Sequence, residues 1–432
     1  MGKVCLLAIG VLLLGCGASD TSSSPNPFLQ DQSNSGKEDT AYMNPDGIEV
    51  EVDLEADVEG LTRWNYKQAP AELGQFALTY LRKRGGVYLE SLAEDASSES
   101  RPEWLVDGVW LAMDKISDVP LEKLRHFRLR AVNAVLLFEA AKGVKAGHLF
   151  ATTVPLNPFD LMSEAGDTCA DPDSHIGLSQ SVYWYLWNPE KEGCKAKLQP
   201  MKVTLASRMA KSKTVYPEYD RLVADQKLTA VFIFGQIGDG EISDGDMGMR
   251  SFRQMADWLG EAGFSEVTPA PLGRRFSKTV AEVAVEIDLY SPREFSGLGD
   301  YGHFENFQKA ISEHELVIYD GHSMLGASDF WARPTYPDFY QIFFYGGCLG
   351  YEYYVRPILA GKKGWANVDI LSSVVEVSAT ANDFAAPALA KILWALENGY
   401  RASWRDILVT VRTAVGDSTF GVSGVRDNVF RP

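Results

Sequence analysis

Residues 316–323 read LVIYDGHS, and residues 342–348 read IFFYGGC. Each stretch is a short apolar run that ends in a glycine-containing turn. The first turn delivers His322 and the second delivers Cys348. Uninterrupted apolar runs of this length are typical of strands that are buried on both faces of a parallel sheet. The two stretches therefore predict adjacent buried strands whose carboxyl ends lie at one rim of a sheet.

The sequence around these stretches alternates between strand and helix patterns from Thr229 onward. An apolar run at 229–235 predicts a buried strand, and the alternation within 279–290 predicts a half-covered one. Helices are predicted at 251–263, 303–313, 351–361, 384–399 and after the capping pattern Ser403 to Asp406, and a further strand at 368–377. This order predicts an α/β fold for residues 229–432, with a doubly wound, mainly parallel sheet flanked by helices.

The region before this sheet carries a different pattern. Within residues 48–145, the segments 72–84, 102–116 and 121–143 place apolar residues at three- and four-residue spacing. Such spacing predicts a mainly helical N-terminal region. Residues 146–228 contain two cysteines, and Pro, Gly and aromatic residues interrupt any period, so their fold is left open.

Residues 1–15 have the proportions of a secretion signal, with Lys3 before an apolar run that is too short to span a bilayer. The tetrad Leu-Leu-Gly-Cys that ends at Cys16 resembles the lipobox of bacterial lipoproteins, which implies cleavage before Cys16 and its acylation. An ordinary signal or an uncleaved anchor is the alternative. Residues 16–47 are rich in Ser, Asn, Pro and Gly and predict a disordered linker. The resemblance implies a lipid-anchored protein of the bacterial cell envelope, at the outer membrane or the periplasmic face.

The charge of the chain bears on its partners. The formal net charge is −17, and no basic stripe interrupts the acidic surface. Such a chain repels phosphate backbones, so nucleic acid is excluded as a partner. No second apolar segment reaches the length of about 20 residues that a membrane span requires. We therefore expect membrane contact through the N-terminal lipid.

The five cysteines divide into groups once the signal is removed. Cys5 leaves with the signal and Cys16 carries the lipid, so Cys169, Cys194 and Cys348 remain. An odd number of cysteines in an oxidising compartment predicts one free thiol. The simplest pairing is a disulfide between Cys169 and Cys194, which flank one turn-rich segment, and this pairing leaves Cys348 free.

His322 and Cys348 supply the groups that nucleophilic catalysis by cysteine requires, because a thiolate attacks and an imidazole takes its proton. Ligands of open parallel sheets gather at the carboxyl ends of the strands, where both residues are expected. A non-catalytic interpretation stays open for each residue. In this interpretation Cys348 is a small buried thiol that closes a core strand. His322 is a turn histidine whose hydrogen bonds are made to the backbone.

The order strand-Gly-His followed by strand-x-Cys resembles the caspase and haemoglobinase superfamily of cysteine peptidases, which includes caspases, metacaspases, gingipains and legumain. YDGHS is similar to the metacaspase form Tyr-Ser-Gly-His-Gly. The resemblance covers roughly residues 229–377, about a third of the chain. It implies a cysteine endopeptidase acting on a peptide or protein substrate. Cys348 is then the nucleophile, His322 the general base, and the backbone N–H groups of Ser323 and Cys348 the oxyanion donors.

Two positions depart from the superfamily pattern. Ser323 stands where glycine usually follows the histidine, and Tyr-Gly-Gly-Cys, ending at Cys348, replaces the Gln-Ala-Cys of caspases. Either departure is also compatible with the alternative to the peptidase, which is a catalytically inactive, caspase-like surface lipoprotein that binds a protein or envelope partner. A purely structural lipoprotein is a third interpretation.

An acidic segment follows the strand at 229–235. It contains four carboxylates at Asp239, Glu241, Asp244 and Asp246, whose spacing fails the EF-hand template. A solvated turn, an irregular calcium site and an acidic pocket for a basic substrate side chain are the three interpretations. The histidines and cysteines form no zinc pattern, and no Walker or Gly-x-Gly-x-x-Gly motif is present, so calcium is the one cofactor that the sequence leaves open.

Overall fold

A computed structural model describes residues 42–89, 102–160, 168–171, 186–208, 214–324, 329–377, 384–416, 419–425 and 428–432. The predicted signal, Cys16 and most of the predicted linker lie outside these ranges. The described chain is a mixed α/β structure with one antiparallel and one mixed β-sheet.

The strands and helices are numbered in chain order. The strands are β1 (Gly47–Asp57), β2 (Val87–Leu89), β3 (Glu103–Val106), β4 (Val109–Ala112), β5 (His126–Leu137), β6 (Leu149–Pro155), β7 (Leu198–Arg208), β8 (Lys227–Phe234), β9 (Ser265–Val267), β10 (Arg274–Val280), β11 (Val283–Tyr290), β12 (Leu316–Asp320), β13 (Gln341–Tyr345), β14 (Val368–Ser373) and β15 (Phe420–Ser423). The helices are α1 (Ala69–Gly85), α2 (Tyr219–Leu222), α3 (Met247–Glu261), α4 (Phe304–Glu313), α5 (Gly350–Tyr353), α6 (Val355–Gly361), α7 (Ala385–Glu397) and α8 (Trp404–Val415).

The first sheet has the order β4-β3-β5-β1-β7-β6, with β2 also paired to β5. Its pairings are antiparallel. Of the three predicted helices only the first is present, as α1, so the expectation of a mainly helical N-terminal region is wrong. Residues 102–116 contain the hairpin β3–β4, which turns at Asp107 and Gly108. Both turn residues have positive φ, 51° and 84°, as a tight hairpin turn requires.

The long strand β5 contains a bulge that gives its sequence the apolar spacing of a helix. Its register against β1 shifts between Leu129 and Val132, and Ala131 has a φ of 52°. The extra residue moves the buried positions from Phe127 and Leu129 to Val132, so a three-residue step interrupts the two-residue alternation. That step imitates the apolar spacing of a helix.

The second sheet has the order β15-β14-β13-β12-β8-β11-β10-β9. The neighbours from β14 to β11 pair in parallel, and the outer pairings are antiparallel. The predicted strand at 279–290 is in fact the end of β10 and all of β11, joined by a turn at Ala281 and Glu282 that both have positive φ. The α/β expectation is confirmed, and the sheet is mixed.

Both faces of this sheet are buried under helices. On β8, Val231 and Ile233 pack in the same core cluster as α4 and α6. The intervening Phe232 packs in a second cluster, with α3, α7 and α8. The continuous apolar runs of the central strands follow from this arrangement, because each face must supply a core. The cluster on the α4 side also includes the core of the first sheet.

In the second sheet, β11 lies on one side of β8 and β12 lies on the other. The chain runs from β8 to β11 first and then crosses over to β12. The carboxyl ends of neighbouring parallel strands at such a crossover form a crevice in which ligands commonly bind. The turns after β8, β12, β13 and β14 meet at this rim.

Cys169 and Cys194 form a disulfide with an S–S distance of 2.08 Å, and Cys348 is a free thiol. The predicted pairing is therefore confirmed. Within the described ranges, the helices are too short or too polar for any of them to cross a membrane.

Candidate active site at the carboxyl ends of the parallel strands

His322 and Cys348 occupy matching positions just beyond two paired strands. Tyr319 of β12 lies opposite Tyr345 of β13, 26 residues later in the chain. The same offset of 26 residues separates His322 from Cys348 (348 − 322 = 26). The ladder continues past the strands, since the N–H of Gly346 donates to the Tyr319 carbonyl at 2.7 Å. Because neighbouring strands lie about 4.8 Å apart, both turns begin side by side at the rim.

The glycines of the two turns are there because the backbone is crowded. A Cβ atom on Gly321 would lie 2.6 Å from the Tyr319 hydroxyl oxygen. A Cβ atom on Gly346 would lie 2.3 Å from the ring of Phe384. Only residues without a side chain allow the turns before His322 and Cys348 to pack this closely.

The ring of His322 is exposed and bound to a backbone carbonyl. Its Nε2 atom lies 3.0 Å from the carbonyl oxygen of Ile237, in the turn after β8. Because a carbonyl oxygen only accepts hydrogen bonds, Nε2 carries the hydrogen. The neutral ring therefore presents its unprotonated Nδ1, which is the atom that can act as a base.

Asp246 holds the peptide that orients His322. Its carboxylate accepts the N–H of Gly238 at 2.7 Å and that of Ile237 at 3.2 Å. The same carboxylate caps α3 by accepting the N–H of Gly248 at 2.8 Å. The Ile237–Gly238 peptide is thus bound on its N–H side by a carboxylate and on its C=O side by the His322 ring. A carboxylate, a peptide and an imidazole form one hydrogen-bonded chain.

Cys348 lies in a less accessible environment. Its Sγ–H group donates to the carbonyl of Val377, with an S···O distance of 3.7 Å. Burial raises the pKa of the Cys348 thiol, and the carboxylate of Glu376 raises it further, against the opposing Arg82 guanidinium. At neutral pH the resting thiolate fraction is therefore lower than that of an ordinary cysteine.

The two reactive side chains face opposite neighbours in this conformation. His322 binds the turn after β8, and Cys348 binds the segment after β14. Since β12 and β13 lie between those two strands, the side chains diverge although their backbone positions correspond. Rotation of the exposed His322 ring toward Cys348 is required for direct proton transfer.

A partly buried ion cluster adjoins the Cys348 turn and was not anticipated from the sequence. Arg82, from α1, lies 3.6 Å from Glu352 of α5 and 3.3 Å from Glu376. Burial raises the pKa of Glu352 to about 7, although Arg82 acts against that shift. The sequence feature that could have identified Glu352 is the presence of an acidic residue inside the aromatic segment GYEYY, residues 350–354. The helix of the N-terminal region thus contributes a charge near the thiol.

The four carboxylates of the acidic segment have different surroundings. Asp246 is engaged in capping, and Asp244 pairs with Arg293 at 2.8 Å. Asp239 and Glu241 are exposed. In the described part of the chain, no group of three or more His, Cys, Asp or Glu residues is placed to hold a metal ion. The geometry therefore supplies no support for calcium in this segment.

The predicted oxyanion donor Ser323 is buried and directly follows His322. Two tyrosine hydroxyls, of Tyr319 and Tyr354, bind the carbonyls of His322 and Ser323. Neither tyrosine was expected from the sequence to serve the site, because aromatic residues in strands and helices usually pack in the core.

The chain matches no protein-family model and no curated protein sequence.

Proposed function

We propose that this protein is an exported, membrane-tethered cysteine endopeptidase with a caspase-like, doubly wound C-terminal domain. Cys348 is its nucleophile and His322 its general base. The proposal depends above all on the shared offset of 26 residues, which aligns a histidine and a free cysteine at one rim. The export and the lipid anchor rest on the sequence of residues 1–16.

The reaction is acyl transfer through sulfur. Nδ1 of His322 takes the Cys348 proton, the sulfur bonds to the substrate carbonyl carbon, and the C=O π electrons move onto oxygen. When the tetrahedral intermediate collapses, the C–N bond breaks and His322 gives its proton to the leaving amine. Water then attacks the thioester, His322 takes a proton from that water, and the thiol is released with a carboxylic acid.

The exposed carboxylates of Asp239 and Glu241 lie in the turn that also carries Ile237, the hydrogen-bond partner of His322. Negative charge at that place attracts a cationic group. A Lys or Arg side chain near the scissile bond is therefore the favoured substrate feature.

A catalytically inactive binding protein is the second candidate, and a specific observation favours it. The imidazole and the thiol are each satisfied by a backbone carbonyl, and burial raises the pKa of Cys348. In this alternative, the rim of the sheet binds a protein or envelope partner without cleaving it.

Alkylation of Cys348 separates the two candidates. The full chain is treated with iodoacetamide at pH 7, and modification of the Cys348 peptide is followed by mass spectrometry. A functional dyad predicts that His322→Ala slows the reaction about 10-fold or more, since general-base assistance contributes roughly 100-fold or more in full catalysis. The control is His303→Ala, which removes an exposed histidine bound to Asp300. Equal rates in wild type and His322→Ala would favour the binding protein.

A further inference from the structure

Two buried tyrosines hold consecutive carbonyls of the turn that carries His322. The hydroxyl of Tyr319 donates to the carbonyl of His322 at 2.8 Å. The hydroxyl of Tyr354, which directly follows α5, donates to the carbonyl of Ser323. Tyr319 is 0% exposed and Tyr354 is 1% exposed. The turn is therefore fixed from its core side at two adjacent peptides.

The ring of Tyr345 joins the two tyrosines. Its centroid lies 5.7 Å from that of Tyr319 and 4.7 Å from that of Tyr354. Tyr345 is the last residue of β13 and is followed by the turn to Cys348. The cluster of these three tyrosine rings thus packs beneath both turns of the candidate active site. The packing that positions β12 and β13 therefore also positions the hydroxyls of Tyr319 and Tyr354.

The orientation of a carbonyl also determines the orientation of the next N–H group. In a trans peptide the C=O and N–H bonds point in opposite directions. Since the carbonyls of His322 and Ser323 point to buried hydroxyls, the N–H groups of Ser323 and Met324 point away from those hydroxyls. Met324 is 47% exposed, and its φ of 54° is unusual for a residue with a side chain. Strained conformations of this kind concentrate at functional turns.

We propose that Tyr319 and Tyr354 are positioning residues that aim the N–H groups of Ser323 and Met324 at the oxyanion of an acyl-transfer intermediate. This inference rests on the proposed function and deepens it. It adds Met324 to the expected donors and gives the two tyrosines a role in the reaction.

The chemistry explains why a fixed turn is useful. When the Cys348 sulfur bonds to a carbonyl carbon, the negative charge develops on the carbonyl oxygen. Donors that already point at that place stabilise the charge without reorganising. Burial raises the pKa of Tyr319 well above its ordinary value, so its hydroxyl keeps its hydrogen and remains a donor across the physiological range.

Two reactions of Cys348 test the inference. Acetylation by p-nitrophenyl acetate passes through an oxyanion, as sulfur bonds to the acetyl carbon and p-nitrophenolate leaves. Alkylation by iodoacetamide displaces iodide at a saturated carbon and forms no oxyanion. Both rates are measured on the Cys348 peptide of the full chain by mass spectrometry. Tyr319→Phe and Tyr354→Phe should each slow acetylation about 10-fold and leave alkylation within about 2-fold, because a lost oxyanion donor costs roughly 100- to 1,000-fold.

The matched control is Tyr336→Phe. Tyr336 is also buried, and its hydroxyl donates to the carbonyl of Trp331 at 2.6 Å, outside the His322 turn. This variant should leave both rates unchanged. Thermal unfolding identifies a variant that fails to fold, in which case the other tyrosine variant decides.

The outcomes are distinct. If acetylation and alkylation fall together, or if neither falls, the tyrosines do not position oxyanion donors and the inference is overturned. If wild-type Cys348 is alkylated no faster than in His322→Ala, the proposed function itself fails, and this inference fails with it.

Discussion

At the scale of single residues, the thiol of Cys348 is held in a resting state. Burial and Glu376 raise its pKa, whereas Arg82 lowers it. The two charged neighbours therefore act in opposite directions on a thiol whose pKa is already raised by burial. Glu376 is half-exposed, so its charge can be removed without leaving a cavity in the core.

Glu376→Gln should accelerate alkylation of Cys348. Loss of the carboxylate removes a cause of the raised pKa, so the thiolate fraction at neutral pH increases. We expect a rise of about 2- to 5-fold at pH 7, because a partly exposed charge acts through a high effective dielectric. The midpoint of the rate against pH should move to lower pH. The exposed Glu397→Gln is the control, and a slower reaction in Glu376→Gln would contradict the prediction.

The candidate site is only partly predictable at this scale. His322 and Cys348 are predictable because each follows an apolar run and a glycine, and such runs end at one rim when they pair in parallel. The directions of their side chains are set by the carbonyls of Ile237 and Val377, which belong to turns distant in sequence. Tertiary contacts of that kind leave no local pattern.

At the scale of elements, the start of α3 links helix capping to the candidate base. Asp246 caps the helix and also holds the Ile237 peptide that binds His322. The N-terminus of α3 therefore helps to orient the ring of His322, which lies in the turn after β12.

Asp246→Ala should lower stability and raise the His322-dependent part of Cys348 alkylation. Loss of the cap costs about 1 kcal/mol. Release of the Ile237 peptide should also weaken the contact that holds the His322 ring away from Cys348, and a hydrogen bond of about 1 kcal/mol corresponds to roughly 5-fold faster alkylation. The matched control is Ser403→Ala, which removes the cap of α8 within a capping box. It should cost similar stability in a urea titration and leave the alkylation rate unchanged. A slower reaction in Asp246→Ala, or an equal change of rate in the two variants, would contradict the prediction.

Prediction of the elements succeeded where packing is simple. The central strands are buried on both faces and the helices of residues 229–432 are amphipathic, so their patterns are unambiguous. It failed in the first sheet, where the bulge at Ala131 broke the alternation of β5. It also failed at Asp107-Gly108, although that pair is a recognised hairpin signal.

At the scale of the whole molecule, the two sheets share a core and an ion cluster. Arg82 of α1 reaches Glu352 and Glu376 beside the Cys348 turn. Helix α1, whose buried residues belong to the same core cluster as the first sheet, is therefore part of the surroundings of the candidate site. Neither this contact nor the antiparallel sheet followed from the sequence, because both depend on pairing between remote segments.

Removal of the Cys169–Cys194 disulfide should destabilise the protein. The bridge closes a separation of 25 residues, and a loop of that size is worth roughly 3 kcal/mol. Cys169→Ala/Cys194→Ala should lower the free energy of unfolding in a urea titration by about that amount. Alkylation of Cys348 in the folded double variant should be unchanged. A loss below about 1 kcal/mol would contradict the prediction.

Engineered disulfide formation measures most directly whether the turns after β12 and β13 meet. In His322→Cys, mild oxidation should link the introduced thiol to Cys348, because the two positions follow paired strands and the exposed side chain at 322 can rotate toward Cys348. His303→Cys, in a different turn, provides the comparison and should stay unlinked. Peptide mapping should recover the cross-linked pair while Cys169–Cys194 remains intact. If the introduced thiol and Cys348 both stay free under these conditions, the two turns do not meet and the proposed dyad is wrong.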